Sequence, residues 1–154
     1  MNVLEVQGLT KHYPAFTLNG VSFAVSEGAV MGFIGRNGAG KSTTLKSILG
    51  MVHPDAGEVK VFGMDYAANE RAIRRELGAV LGGIDFYPKK KIRVITDVTR
   101  RFYDNWDEDK YRHYLRLFSI DEEKRVDQLS SGMKVKYMIA IALSHNARLL
   151  ILDE

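Results

Sequence analysis

The sequence predicts a mixed α/β fold with a β-rich first part, a middle of buried strands and helices, and a helical insertion before the last strand. Three patterns support this prediction. Early segments partly alternate apolar and polar residues, short uniformly apolar runs follow, and longer stretches repeat apolar residues at helical spacing. Partial alternation is typical of half-buried strands, whereas uniformly apolar runs are typical of strands buried on both faces. The strands expected from these patterns are 3–10, 16–25, 58–62, 29–34, 77–81 and 149–152.

The helices expected from periodicity lie between these strands. The first begins after Gly40 and ends at Gly50 and "HPDAG". The second region, roughly 94–118, contains "WDED" as a break and an acidic cap, and the last helix runs from near Ser130 to about Asn146. The first helix has its apolar positions at i, i+3, i+4 and i+7, namely Leu45, Ile48, Leu49 and Val52.

Composition narrows the functional classes. With 154 residues and 45% hydrophobic composition, the chain can form one sizeable core and is expected to be a single domain. The net charge of +3 is too small to indicate nucleic-acid binding. The absence of cysteine excludes disulfides and thiolate metal sites. The longest apolar run, Tyr137 to Leu143, is shorter than the roughly 18 residues that cross a bilayer, and the first ten residues do not resemble a signal peptide.

The segment "GRNGAGKS", residues 35–42, matches the phosphate-loop pattern G-x-x-x-x-G-K-[ST] between an apolar strand and an amphipathic helix. Glycines let such a loop approach phosphates closely with its N–H groups turned inward, and the helix adds its positive N-terminal dipole. Lys41 is expected to reach the β- and γ-phosphates and Ser42 to bind Mg²⁺. The expected nucleotide-binding residues of the loop are Gly35, Asn37, Gly38, Gly40, Lys41, Ser42 and, as a further phosphate donor, Thr43.

The segment "LLILDE", Leu149 to Glu154, is an apolar strand that ends in two acids. Taken alone, it is most simply a buried strand ending in solvated carboxylates. Downstream of a phosphate loop, the same pattern favours a catalytic interpretation. Asp153 would then hold the Mg²⁺ shell, and Glu154 would orient or deprotonate the attacking water as the catalytic residue.

The segment "LSSGMK", residues 129–134, is by itself an ordinary capped helix start, with Ser130 as the N-cap. Together with the phosphate loop and the acidic strand, in this order, it resembles the signature motif of ABC-type ATPases. The resemblance covers essentially the whole chain, since "LTKHY", "LNGVSF" and "VDQLSSGMKVK" also resemble landmarks of an ABC transporter nucleotide-binding domain. The stretch "FYDNWDEDKY" and the ending Gly-Met-Lys are more similar to bacitracin-type and antimicrobial-peptide exporters.

The resemblance implies a P-loop NTPase fold over residues 1–154, with an antiparallel β subdomain, a RecA-like core and a helical subdomain at about 90–146. It implies an ATP-hydrolysing subunit that powers an ABC membrane transporter, an exporter, at the cytoplasmic face of the cell membrane. The implied cofactors are ATP and Mg²⁺. The implied partners are membrane-spanning transporter subunits and a second nucleotide-binding domain.

Four further positions take their expected roles from the same resemblance. Tyr13 matches the aromatic residue that stacks on adenine, although it also fits a plain strand-end tyrosine and Phe16 lies nearby. The signature residues Ser130, Ser131 and Gly132 match those that contact the γ-phosphate of ATP held by the opposite subunit. This role implies a head-to-tail pair of domains that encloses two ATP molecules.

The sequence departs from the family pattern at three places. Gly82 stands where the family usually has a glutamine, so no side chain there can bind Mg²⁺ or water. Ser131 stands where glycine is commoner. The chain stops at Glu154, before the strand that carries the family's switch histidine, for which His145 cannot substitute. We therefore expect an incomplete core sheet, with poor stability, strand exchange, or direct pairing of 29–34 with 149–152.

Two alternatives to a transporter ATPase remain from the sequence. One is a nucleotide-binding fragment without turnover, because the switch histidine is missing, and the other is an ABC protein that acts outside transport. The basic run "PKKKIR", residues 88–93, with Arg100 and Arg101, is most simply a solvated face. The resemblance favours a partner-facing surface near the membrane, and no nucleic acid is expected.

Overall fold

The computed structural model describes residues 1–153, which form two compact units, Met1–Ile73 and the part from Arg74 onward. We describe each unit by itself. The strands are β1 (Asn2–Tyr13), β2 (Phe16–Ser26), β3 (Ala56–Val61), β4 (Met64–Asp65), β5 (Leu77–Leu81) and β6 (Leu149–Asp153). The helices are α1 (Lys41–Ile48), α2 (Tyr66–Glu76), α3 (Ile92–Thr99), α4 (Glu108–Leu117) and α5 (Ser131–Ser144), with 3₁₀ turns at Arg100–Phe102 and Val126–Gln128.

The first unit is built on an antiparallel sheet with the strand order β2-β1-β3-β4. β1 and β2 form a hairpin whose turn is Pro14 and Ala15, and Tyr13 is paired with Phe16 at its end. The alternation of β1 is interrupted at Gly8, which has a φ of 58° and lies in a bulge of the ladder. The bulge explains why the sequence shows only partial alternation here, although Leu9 is fully buried.

The predicted strand at 29–34 is wrong. This segment forms no strand in the described part of the chain, and Val30 and Ile34 are 100% and 97% exposed. Its one aromatic side chain, Phe33, packs on Phe23 of β2 with 5.4 Å between ring centroids. A strand needs a neighbouring backbone to hydrogen-bond with, and residues 1–153 supply none to this segment. The expected pairing of 29–34 with 149–152 is absent for the same reason.

The second unit contains a two-stranded parallel sheet of β5 and β6, so the predicted strands 77–81 and 149–152 are confirmed. The register runs from Leu77 opposite Leu149 to Leu81 opposite Asp153. α5 packs on this sheet at Gly78, where an added Cβ would lie 3.1 Å from that of Ala142. The close approach explains why a glycine occupies a buried strand position.

The helical part of the second unit encloses its own apolar core. Within this core, the Thr96 hydroxyl is 2.8 Å from the Tyr111 hydroxyl and 2.9 Å from the Tyr137 hydroxyl, so all three buried groups are hydrogen-bonded. Trp106 and Phe118 are partly buried against the cluster. The buried members of the cluster are Ile84, Ile92, Ile95, Tyr111, Leu115, Ile120, Val126, Leu129, Tyr137 and Ile141.

Two predicted helix caps are present. Asp107 of "WDED" accepts a hydrogen bond from the Lys110 N–H at 2.9 Å and begins α4. Ser130 accepts one from the Met133 N–H at 3.2 Å and begins α5. The helix at Tyr66–Glu76 was not apparent from the sequence, because only Tyr66 and Ile73 of its residues are buried and the helix is kinked at Asn69.

Candidate functional site

The phosphate loop leads directly into α1, and its shape depends on glycine. Gly38 and Gly40 have φ values of 80° and 97°, a region that other residues seldom adopt. A Cβ on Gly40 would also lie 2.7 Å from a methyl group of Leu18 and 2.8 Å from the ring of Phe16. The last glycine of the loop is therefore required both by its backbone conformation and by the β2 side chains packed against it.

Gly40 is the N-cap of α1, and within residues 1–153 no side chain forms a capping hydrogen bond to this helix. Helices that begin without a side-chain cap leave their first-turn N–H groups available to another acceptor. Since the helix dipole also favours negative charge at this end, the start of α1 suits an anion. Asn37, Gly38 and Ser42 are exposed around it.

The Lys41 ammonium group lies over the phosphate loop. It donates hydrogen bonds to the Gly35 carbonyl and, at 3.2 Å, to the Arg36 carbonyl. Because ammonium hydrogen bonds to carbonyls and to phosphate oxygens are alike in geometry, this placement allows Lys41 to exchange one set of acceptors for the other. The Thr44 hydroxyl donates to the Gly40 carbonyl at 2.8 Å, which ties the loop to the first turn of α1.

Tyr13 lies near the phosphate loop. It is 41% exposed at the end of β1, and its ladder partner Phe16 is the residue whose ring packs at Gly40. An exposed aromatic ring beside an anion-binding loop is suited to stacking on a nucleobase. The structure thus brings Tyr13 into the neighbourhood of residues 35–43, all within the first unit.

The remaining predicted site residues lie in the second unit. Asp153 is half-buried at the end of β6, and Glu154, the predicted catalytic residue, lies outside the described residues. Gly82, which follows β5, has a φ of 84° and so occupies a turn that disfavours the glutamine usual in the family. Of the two acids predicted to act at this edge, Asp153 alone lies within the described residues.

The signature residues form an open, capped helix start. Ser130, Ser131 and Gly132 are all exposed, and a Cβ on Gly132 would meet nothing within 4 Å. The Ser130 hydroxyl accepts the capping hydrogen bond, which leaves its own O–H able to donate to an anion. The arrangement suits a surface that contacts the phosphates of a nucleotide carried by another chain.

One functional neighbour of the signature was missed by sequence reasoning. Gly83 packs so closely on α5 that a Cβ there would lie 2.8 Å from the Cβ of Lys134. Lys134 in turn pairs with Asp85, with 3.1 Å between the ammonium nitrogen and the carboxylate oxygen. The loop after β5 is therefore attached to the start of the signature helix, and the Gly-Gly pair was the only signal of this contact.

A cavity of about 130 Å³ lies within the second unit, among β5, α3 and α5. At its edge, the buried His145 ring stacks on Tyr103 with 4.0 Å between centroids. Among the described residues, the His145 Nδ1 has no hydrogen-bond partner, and burial lowers the pKa of this imidazole. His145 lies at the C-terminal end of α5, where it is only 1% exposed. The cavity is lined by Ala79, Phe86, Ile95, Thr99, Tyr103, Tyr137, Met138, Ile141, Ala142 and His145.

The basic run at 88–93 forms several ion pairs with nearby acids. Lys89 lies 2.8 Å from the Asp127 carboxylate, and Lys91 and Arg93 lie 2.9 and 2.8 Å from that of Glu123. The hydrogen bond from Lys89 lowers the pKa of Asp127, and that from Lys91 lowers the pKa of Glu123. Two carboxylates thus pair with three cations of the run, so positive charge remains in excess there.

Comparisons with known proteins give a consistent result. A sequence model of the ABC transporter family matches residues 18–154. The bacitracin transport ATP-binding protein of Bacillus licheniformis is 32% identical over 99% of this chain and 51% of its own length. The Nod factor export ATP-binding protein I of Rhizobium etli is 34% identical over the whole chain and 51% of its own length.

A solved structure of an ATP-binding subunit of an ABC transporter superposes with a TM-score of 0.87 and 31% identity. The superposition covers 99% of this chain and 66% of that structure. The chain thus spans about half the length of the curated relatives it matches. Its fold is that of the ABC-type ATPase domain, and the α/β fold with an antiparallel sheet and a helical insert that the sequence predicted is confirmed.

Proposed function

The chain belongs to the ABC transporter family, and from this membership we propose that it is part of an ATP-hydrolysing subunit that powers a membrane exporter. The observation that carries the proposal is the phosphate loop, in which Gly40 starts an uncapped helix and Lys41 lies over the loop carbonyls. The similarity to the Nod factor export ATP-binding protein I of Rhizobium etli favours export.

ATP and Mg²⁺ fit the residues present. The loop would hold the phosphates through its N–H groups and Lys41, with Thr43 as a further donor. Ser42 and Asp153 would hold Mg²⁺, which neutralises charge on the phosphates when bound. Hydroxyl and carboxylate oxygens are the donor types that Mg²⁺ prefers, and the ion commonly retains water and phosphate ligands instead of an all-protein cage.

Hydrolysis and pairing involve the second unit. We assign Glu154 the role of orienting or deprotonating the attacking water. The exposed signature start at Ser130, Ser131 and Gly132 would contact ATP held by a second nucleotide-binding domain in a head-to-tail pair. We further propose that residues 90–146, which include α3, α4 and α5, act as the helical subdomain.

Membrane-spanning subunits are the proposed partners, and α3 offers a surface for them. Its inner face is buried through Ile92 and Ile95, yet Val94, Val98 and the following Phe102 are 42, 52 and 68% exposed. Single exposed apolar residues are common on protein surfaces, whereas a contiguous row of them indicates an interaction surface. With the cavity beside it, this exposed stripe of Val94, Val98 and Phe102 is suited to a helical segment of a membrane subunit.

We place the protein at the cytoplasmic face of the cell membrane, held there by these partners. Among the helices described up to residue 153, none has the length and apolar character that a membrane span requires.

Phosphate release tests the proposed activity. In complexes purified with the membrane-spanning subunits, we expect ATP-dependent phosphate release that Glu154→Gln abolishes while ATP binding is retained. ATP binding without any phosphate release from the wild type would instead favour a subunit without turnover. That alternative is supported by Gly82, where the usual glutamine side chain is missing.

Co-purification tests the proposed partner. Phe102→Asp, in the exposed stripe, is expected to reduce recovery of the membrane-spanning subunits about tenfold. Leu117→Asp is a matched control, because Leu117 is 61% exposed but lies on α4. Equal losses for both variants, or recovery of ribosomes or DNA in place of membrane subunits, would contradict a transporter role.

A further inference from the structure

Asp55 makes an unusually dense set of contacts for a half-exposed residue. Its carboxylate accepts hydrogen bonds from the Lys11 ammonium at 2.8 Å and from the His12 backbone N–H at 2.7 Å. It also lies 3.2 Å from the His12 Nδ1. The hydrogen bond from Lys11, followed by that from the His12 backbone, lowers the pKa of Asp55 to about 2. The carboxylate therefore remains ionised, and remains an acceptor, throughout the physiological pH range.

These contacts lie where the pairing between β1 and β3 ends. β3 pairs with β1 as far as Ala56 opposite Thr10, and the Asp55 N–H donates to the Thr10 carbonyl at 2.8 Å. Beyond Thr10, only β2 is paired with β1. The Asp55 side chain takes the place of a strand on the open edge, because it accepts the His12 N–H that a longer β3 would have accepted.

The residue that follows His12 is Tyr13, at the end of the hairpin. A strand end held on one edge only would move freely, and the Tyr13 ring would move with it. Because the backbone is held on both edges at His12, Tyr13 has a fixed position opposite Phe16, whose ring packs at Gly40 of the phosphate loop. A ring that is already in place loses less conformational entropy when a base stacks on it.

We propose that Asp55 is a positioning residue for nucleotide recognition, which fixes the end of β1 so that Tyr13 is prepared to stack on the adenine of ATP. The proposal rests on the proposed role of Tyr13. It differs from an ordinary surface ion pair, which contributes little, because the decisive bond is to the backbone next to the recognition residue. Asp55 acts through Tyr13 and makes no contact of its own with the nucleotide.

The test compares two probes on the 154-residue chain: ATP, which has a base, and inorganic tripolyphosphate, which has only the phosphates. We expect Asp55→Ala to weaken ATP binding about three- to tenfold in titration calorimetry, as expected when a preorganised contact is lost. Binding of tripolyphosphate should stay within about twofold, since the loop around Lys41 is unchanged. Equal weakening of both ligands would indicate general damage to the unit and would overturn the proposal.

Three further variants make the test specific. Tyr13→Ala should weaken ATP binding about tenfold, and adding Asp55→Ala to it should change nothing more, because both act through one contact. Asp55→Asn should recover most of the affinity, since its amide oxygen can still accept the His12 N–H. Glu58→Ala is the control. It removes an exposed ion pair between Glu58 and Lys60, both on β3, and should not change the binding of ATP.

The outcomes separate the two proposals. If Tyr13→Ala weakens ATP binding but Asp55→Ala does not, the stacking role is retained and the positioning role is wrong. If Tyr13→Ala has no effect on ATP, the stacking role is wrong and the positioning role falls with it. Additive effects of the two substitutions, or an Asp55→Asn variant as weak as Asp55→Ala, would likewise overturn the positioning role.

Discussion

The phosphate-loop region, residues 29–43, and the helical part of the second unit use apolar residues in opposite ways. In the first, Val30 and Ile34 are almost fully exposed and the conformation depends on glycines and on Lys41. In the second, apolar side chains enclose a core in which even the Thr96 hydroxyl has partners. The contrast shows that an apolar run becomes a buried strand only when a neighbour supplies hydrogen bonds and a surface to pack on. We therefore expect substitutions in the helical part to affect folding and those in the loop to affect ligand binding.

The largest expected difference is in the free energy of unfolding when an isoleucine is replaced by alanine in each region. Ile92→Ala, at a fully buried position, is expected to lower the free energy of unfolding by about 2–5 kcal/mol. Ile34→Ala, at a position that is 97% exposed, should change it by less than about 0.5 kcal/mol. Urea unfolding followed by circular dichroism measures both. Similar losses for the two variants would mean that residues 29–34 are buried in solution, and the comparison would fail.

A smaller effect is expected from the buried hydroxyl cluster. Thr96→Val leaves the Tyr111 and Tyr137 hydroxyls each without their shared partner, at a cost of about 1–3 kcal/mol in the free energy of unfolding. Thr99→Val is the control, since the Thr99 hydroxyl bonds only to the Ile95 carbonyl of its own helix. Fluorescence of Trp106, which packs on this core, reports the transition. Identical unfolding midpoints for the two variants would argue against a stabilising cluster.

Two glycine-to-alanine substitutions test how closely the loop after β5 packs on α5. Gly83→Ala brings a Cβ within 2.8 Å of that of Lys134 and is expected to lower the free energy of unfolding by about 1–2 kcal/mol. Gly132→Ala, with open space around its Cβ and a helical position, should leave it unchanged or raise it slightly. Thermal unfolding of both proteins is the measurement, and a stabilised Gly83→Ala variant is the result that contradicts the close packing.

The most gradual effect is the dependence of stability on alkaline pH. Burial raises the pKa of Tyr137 from 10.0 to about 12, and burial also raises that of Tyr111. Because the unfolded state ionises first, the stabilising contribution is complete below pH 10 and is lost as the pH rises towards 12. Urea titrations between pH 8 and 11.5 should show this decline, and Tyr137→Phe should make it shallower. A curve unaffected by this substitution would contradict the assignment.

The features that the sequence predicted correctly are those determined by local pattern. The start of α1 after Gly40 and the Ser130 cap follow from residues only a few positions apart. The wrong strand at 29–34 depended on a partner that no local pattern could supply. Gly83 against Lys134, and Asp55 against His12, join residues far apart in the chain. Contacts of that kind require the fold to be known before they can be recognised.

We expect the loop around Lys41 to bind ATP through its phosphates and to contribute little to stability. Calorimetric titration of ATP into Lys41→Ala, beside Lys46→Ala on the same helix, tests it most directly, with unfolding measured on the same samples. We predict at least about a hundredfold loss of affinity for Lys41→Ala, as for a charged contact to phosphate that is lost, with near-normal binding by Lys46→Ala and unchanged unfolding of both. ATP bound equally well by Lys41→Ala and the wild type would contradict the claim.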